Sequence, residues 1–163
     1  MSEIKKPVVN IADLEMREQA HGEKFAVRTG RIGPLIGSNG IGVSYMVVPP
    51  GKRAFPFHAH HVQHELFVIL DGMGEYRFGS TSYPVRAGDV CAAPPGGPEV
   101  AHQLVNTGAI DLRYLSLSTE ASAEIVEYPD SKKFGASALN RDGSRWRYLG
   151  RADGGKADYW DGE

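Results

Sequence analysis

Four of the six histidines fall in one short run, His58-Ala59-His60-His61-Val62-Gln63-His64, and Glu65 follows directly. A fifth, His102, opens a second strand-like segment. Imidazole nitrogens and carboxylate oxygens are ligands for divalent transition metals, so this clustering points to a metal site. In an extended chain alternate residues share a face, which aims His58 and His60 the same way. Glu65 then returns a carboxylate from the next strand across a short turn. His102 completes a set of three histidines and one glutamate from a strand paired alongside.

A closed structural zinc site is usually tetrahedral and rich in cysteine. This set is neither, and it leaves neighbouring positions of an octahedral ion open. It suits one divalent ion per chain, iron(II), manganese(II), nickel(II) or zinc(II), with occupancy following supply as much as affinity. Two chemistries fit the open positions. A carbonyl and a neighbouring hydroxyl of a sugar can chelate a Lewis-acidic ion, or iron(II) can bind dioxygen beside an oxidisable substrate.

Other residues near the cluster have roles to weigh. His64 is a candidate for proton transfer, and Glu99, in the loop Pro94-Pro95-Gly96-Gly97-Pro98-Glu99, is a candidate general base overhanging the open metal face. His61 differs from the ligands in strand parity and reads as exposed or as a support behind a ligand. Cys91 reads as a small packed hydrophobe, His21 as a surface residue, and Asn106 as the fastener of a turn.

The elements that must position these groups are short strands. Twenty glycines and ten prolines punctuate the chain, and no sustained helical period is present. Ile41 to Val48 alternates and runs into Pro49-Pro50-Gly51. Leu66-Phe67-Val68-Ile69-Leu70 is apolar on both faces, so it needs cover on both. Asp71-Gly72-Met73-Gly74 is a hairpin turn, with Glu75 to Phe78 as the return strand. Further strands are expected at Ser82–Val85, Val90–Ala93, His102–Asn106 and Ile110–Leu117, enough to close a small antiparallel barrel. Residues 1–41 contain one short helical piece, Ala12 to Ala20, and strands that extend a sheet of this chain or of a second subunit. Residues 120–163 open with the strand-like Glu124 to Tyr128. Trp146, Tyr148, Tyr159 and Trp160 in that region predict a segment docked on the barrel or on a partner.

The spacing of these residues resembles the two motifs of the cupin family. Gly51, His58, His60, Glu65 and Gly72 are similar to the first motif, and Gly88, Pro94, Gly96, His102 and Asn106 to the second. The gap from Gly51 to His58 is one residue longer than usual and that from Gly96 to His102 three longer, both in turns where extra length costs little. The resemblance spans residues 42–119. It implies an all-β fold, a double-stranded β-helix or jelly-roll barrel with flanking extensions, in a single domain over residues 1–163. It also implies that His58, His60, Glu65 and His102 hold the metal. The tail Asp158-Tyr159-Trp160-Asp161-Gly162-Glu163 resembles that of small bacterial cupins loosely described as sugar-phosphate isomerases. The leading expectation is therefore an enzyme isomerising or epimerising a small carbohydrate-like substrate. An iron-dependent dioxygenase and a non-catalytic small-molecule binding protein are the alternatives. A phosphorylated substrate requires a basic cluster near the barrel mouth, and Lys52, Arg53, Arg77 and Arg113 are its nearest suppliers in sequence, although their parity does not converge.

Composition excludes several other classes. At 163 residues the chain is long enough for one domain with a real core. A net charge of −2 without a basic block argues against a nucleic-acid partner. No apolar run approaches the ~20 residues of a membrane span. The N-terminus lacks the apolar stretch of a secretion signal, and a single cysteine forms no internal disulfide; both favour the cytoplasm. The two-sided apolar strand favours a homodimer.

Overall fold

Glycines and prolines cut the chain into strands of two to eight residues, and the computed structural model describes residues 5–151 and Gly154. The strands are β1 (Arg17–His21), β2 (Phe25–Arg31), β3 (Ile41–Val48), β4 (Ala59–His60), β5 (Glu65–Asp71), β6 (Met73–Phe78), β7 (Thr81–Arg86), β8 (Val90–Ala93), β9 (His102–Val105), β10 (Leu112–Thr119), β11 (Ala123–Tyr128), β12 (Lys133–Leu139) and β13 (Arg145–Arg151). They form a six-stranded sheet, β1-β2-β3-β10-β5-β8, a four-stranded sheet, β13-β12-β11-β4, and a three-stranded sheet, β7-β6-β9. The sheets pack as a jelly-roll sandwich. The one α-helix among the described residues is the single turn Gly33–Ile36, and none is long and apolar enough to cross a membrane.

The core lies between the sheets. Met46 and Val48 from β3, Phe67 and Ile69 from β5, Tyr76 from β6, Leu104 from β9, and Leu112 and Tyr114 from β10 pack in one buried cluster. Strand β10 is central, flanked antiparallel by β3 and β5. Its inward residues change character along its length, from Leu112 and Tyr114 in the core to Ser116 and Ser118 beyond it. One end of the sandwich is therefore dry and the other polar.

Turn chemistry sets this geometry in two places. At the β5–β6 turn Gly72 has φ +82°, and a Cβ there would lie 2.6 Å from the carbonyl oxygen of Asp111. Only glycine fits both demands. Asn106 is fully buried; its Nδ2 donates to the carbonyls of Val48 and Ile110, both at 2.8 Å, and its Oδ1 accepts from the Gly108 N–H at 2.9 Å. It fastens the β9–β10 turn.

Four expectations need correction or refinement. The helical piece over Ala12–Ala20 does not form: a 3-10 turn spans Ile11–Asp13, and Arg17–His21 is strand. Isolated helices shorter than ~12–15 residues are marginal, and here a complete antiparallel ladder to β2, from Arg17↔Thr29 to His21↔Phe25, takes its place. The N-terminal strands extend this chain's own large sheet through β2 and β3. In β5, Phe67 and Ile69 are buried, whereas Leu66 and Leu70 are 43% and 41% exposed on the outer face. The C-terminal segment is docked by its ladder to β12, yet Trp146 and Tyr148 stay half-exposed, stacked on each other with ring centroids 6.4 Å apart. Tyr159 and Trp160 lie outside the described residues.

Cys91 is buried opposite Phe67. Burial, with Asp89 adding to it, pushes its thiol up to about 11. At pH 8 only about one such thiol in a thousand is the reactive thiolate. A disulfide reagent at pH 8 should therefore leave the native chain unmodified and titrate one thiol after denaturation; rapid labelling of the native chain would contradict this packing.

Candidate metal centre

The cluster assembles where β4, β5 and β9 meet. His58 and His102 face each other across an antiparallel bridge, the N–H of His58 donating to the His102 carbonyl at 3.2 Å and the reverse bond spanning 2.8 Å. That pairing holds the two rings at 4.6 Å between centroids. His60 follows by two on the same face, and Glu65 opens β5. The ligand atoms of His58, His60 and Glu65 all lie within 4.8 Å of one another. Glu65 Oε2 is the point of convergence, 3.7 Å from Nε2 of His58, 3.4 Å from that of His60 and 2.9 Å from that of His102. His102 is the outlying ring, 6.4 Å from His60 between centroids.

The far side of two rings is spoken for. Nδ1 of His58 lies 2.8 Å from the Pro56 carbonyl, and Nδ1 of His102 lies 3.3 Å from that of Val100. A carbonyl accepts only, so each Nδ1–H donates outward, and each ring's Nε2 is left directed at Glu65, where it can ligate a metal. Burial by itself would raise Glu65, but hydrogen bonds with His102, His58 and His60 outweigh it and hold its carboxyl well below the usual range. Three ring nitrogens thus converge on one ionised oxygen in a mostly buried site. With the outer nitrogens of His58 and His102 donating to carbonyls, either a proton or a metal ion has to stand between each Nε2 and the carboxylate. The residues present therefore fit a divalent ion.

His60 is held differently. Its Nδ1 is buried without a hydrogen bond and lies 3.5 Å from Glu124 Oε2. Burial pulls the ring's pKa down, yet Glu65 and Glu124 together push it above the ordinary value, whereas at His102 burial prevails and the ring is lowered. Glu124 was legible in sequence only as part of a strand. It is 5% exposed and accepts the N–H groups of His61, Val62 and Gln63, at 3.1, 3.1 and 2.8 Å, and of Ile125 at 2.8 Å. One carboxylate from the C-terminal sheet thus fixes the whole His60–Glu65 turn. The one available signal was parity: Glu124 shares a face with Val126 and Tyr128.

The two other candidates stand apart from the cluster. Glu99 sits in a 3-10 turn, Pro98–Val100, with its carboxylate folded back to accept the Gly97 N–H at 2.9 Å, and it is solvent-exposed. His64 is exposed, and its backbone N–H donates to Thr119 Oγ1. His61 pairs outward with Glu127 at 2.7 Å. Of the basic residues suggested for a phosphate, Lys52 donates to the Glu23 carbonyl, Arg77 pairs with Asp130 and covers Phe57, and Arg113 faces Asp71 and Asp111. None of these lines the cavity beside the cluster.

That cavity, about 800 Å³, lies between the polar end of the large sheet and the C-terminal sheet. His60, Gln63, Ser118, Glu120, Glu124 and three arginines are among its lining residues. On its dry side Phe67 and Tyr114 pack against the cluster.

A two-sheet jelly roll with a histidine–carboxylate cluster at its open end is the architecture of the cupin fold. Residues 44–118 match the family model of the cupin domain, and the chain contains that domain. In sequence the chain is similar to an oxalate-binding protein of Thermotoga maritima, 35% identical over 72 residues, 44% of this chain and 56% of that one. The match thus spans less than two thirds of that relative. In structure it is similar to a putative sugar phosphate isomerase from Acidithiobacillus ferrooxidans, with a TM-score of 0.74 at 20% identity, covering 88% of this chain and 92% of the other. A cupin-superfamily sugar phosphate isomerase from Silicibacter pomeroyi gives a TM-score of 0.77 at 22% identity, covering 94% and 98%.

Removing the Glu124 carboxylate strands the N–H groups of Val62, Gln63 and Ile125, while that of His61 keeps its second acceptor, the Ile125 carbonyl at 2.9 Å. Leaving buried donors unsatisfied costs roughly 1–3 kcal/mol, so Glu124→Ala should lower the melting temperature by several degrees and weaken metal binding tenfold or more. An unchanged melting temperature in scanning calorimetry would contradict this role.

Proposed function

We propose that this chain is a metal-dependent enzyme that isomerises or epimerises a small, oxygen-rich, carbohydrate-like substrate. The observation that carries this reading is the convergence of three histidine Nε2 atoms on the mostly buried Glu65 carboxylate at the edge of an open cavity. His58, His60, Glu65 and His102 are the proposed ligands of one divalent ion. When bound, the ion supplies Lewis-acid polarisation of a substrate carbonyl. The names of the two structural neighbours agree with an isomerase.

The chain's own residues supply the remaining work. Phe67 and Tyr114 exclude water from the dry side of the cluster. Moving a proton between neighbouring carbons needs a base, and we assign that role to Glu120. Ser118 is the register partner of Glu65, and Glu120 follows two residues later on the same inner face. Unlike Glu124, Glu120 has no side-chain hydrogen bond among the described residues, so its carboxylate is free to accept a proton.

A second reading has its own support. The oxalate-binding relative favours a protein that holds a small chelating acid without turning it over. Solvent exchange separates the readings. The metal-loaded chain, given small aldoses and ketoses in deuterated water, should introduce deuterium at the carbon beside the carbonyl, and Glu120→Gln should lose this exchange while keeping the ion. Oxygen consumption would instead mark a dioxygenase, and tight binding without exchange a binding protein. Elemental analysis should find about one ion per chain in the native protein and none in the His58→Ala/His60→Ala variant; full occupancy in that variant would refute the ligand assignment.

We also propose that a second copy of this chain covers the outer face of the large sheet, where Leu66, Leu70 and Val90 are exposed. Light scattering should give about twice the 17.7 kDa chain mass. A monomer at micromolar concentration would overturn this.

A further inference from the structure

The C-terminal sheet turns one face toward the metal centre, and its register shows what that face carries. His60 pairs with Val126, Val126 with Gly135, and Gly135 with Leu149, so these four share a row across β4, β11, β12 and β13. In the next row but one, Glu124 pairs with Ser137 and Ser137 with Arg147. Arg145 belongs to the same face, two residues further along β13. From the opposite sheet, Arg31 pairs with Ser44, Ser44 with Ser116, and Ser116 with Phe67, which puts Arg31 on that sheet's inner face. Arg31, Arg145 and Arg147 therefore look into one cavity from two sheets, beside His60.

We infer that Arg31, Arg145 and Arg147 form an anion subsite facing the metal centre, and that the ligand carries a phosphate or carboxylate group at the end away from its chelating oxygens. This deepens the proposed function by naming the charged end of the substrate, and it rests on that reading only for the chelating end. Three further observations support it. Arg145 is anchored by bonds to Ser137 Oγ at 3.3 Å and the Ala121 carbonyl at 3.0 Å, whereas Arg31 and Arg147 have no side-chain partner among the described residues. Of the two carboxylates in the cavity, Glu124 is committed to four backbone N–H groups and His60, so three guanidinium groups stand against the one free carboxylate, Glu120. The floor between the arginines and His60 is kept low by Gly135 and Ser137. A Cβ at Gly135 would make only ordinary contacts, the nearest at 3.6 Å, so the missing side chain leaves space instead of avoiding a clash.

The span also suits a small molecule. Three strand spacings of about 4.8 Å separate β4 from β13, roughly 14 Å between backbones, and the arginine side chains shorten that gap from the far side. A ligand of a few carbons bridges it. Guanidinium groups favour planar, two-point contact with phosphate or carboxylate oxygens, and a cleft with an excess of positive charge concentrates such anions.

The test uses the full chain and inorganic phosphate, followed by calorimetry with and without bound metal. The metal-stripped wild type should bind phosphate, and the Arg31→Ala/Arg147→Ala variant should bind it at least tenfold more weakly. Gly135→Leu, which fills the floor without touching a charge, should weaken it similarly, while His58→Ala/His60→Ala should leave it unchanged. Oxalate titrated in the same way distinguishes the two anions, the tighter binder naming the group. No phosphate or oxalate binding to the stripped wild type, equal affinity in the arginine variant, or loss only in the histidine variant would each overturn the subsite. A chain that binds phosphate through the arginines but takes up no metal would leave the subsite standing and defeat the metal-dependent function.

Discussion

The structure depends on one convergence, of three imidazole nitrogens on the Glu65 carboxylate. Backbone carbonyls fix the outer nitrogens of His58 and His102, so a proton or a metal ion has to stand between each inner nitrogen and a carboxylate that is itself ionised and mostly buried. A buried negative charge of this kind is tolerated only when positive charge completes it. Much of the surrounding fold keeps these groups from moving apart. The His58–His102 bridge locks two rings together, the β5–β10 ladder holds Glu65, and Glu124 grips the turn that joins His60 to Glu65.

The sandwich serves this centre by being uneven. Alternation puts every second residue of β10 inside, and the inside residues pass from Leu112 and Tyr114 to Ser116, Ser118 and then Glu120. The apolar half supplies the burial that stabilises the fold and fixes the backbone of the cluster. The polar half leaves a space that the C-terminal sheet covers without filling. That sheet is thus part of the site: through β11 it pairs with β4 itself, and it contributes Glu124 and two of the three arginines.

The barrel was legible because its signals are local. Histidine spacing, glycine turns such as Asp71-Gly72 and alternation in Ile41 to Val48 each depend on a few neighbouring residues. The short N-terminal strand was not, because Arg17–His21 is an exposed ladder whose partner lies beyond a turn, and its composition suits a helix equally. Glu124 and the arginines failed for a related reason. Which face of β11 or β13 looks inward is decided by pairing with β4, a two-residue strand some sixty residues away, and no local pattern carries that information. The proposed phosphate suppliers were misjudged because nearness in sequence stood in for nearness in space: Arg77 and Arg113 sit close to the motifs but pair with Asp130, Asp71 and Asp111.

Binding of a divalent ion by the cluster is tested most directly by the thermal stability of chelator-stripped protein as the ion is added. A ligand that binds only the folded state stabilises it in proportion to the logarithm of its concentration, by about 2.7 kcal/mol at a hundredfold excess over the dissociation constant. The melting temperature should climb steadily with added ion in the wild type and stay flat in Glu65→Gln, where the converging charge is gone. A flat wild-type curve, or an equal rise in the Glu65 variant, would contradict ion binding by the cluster.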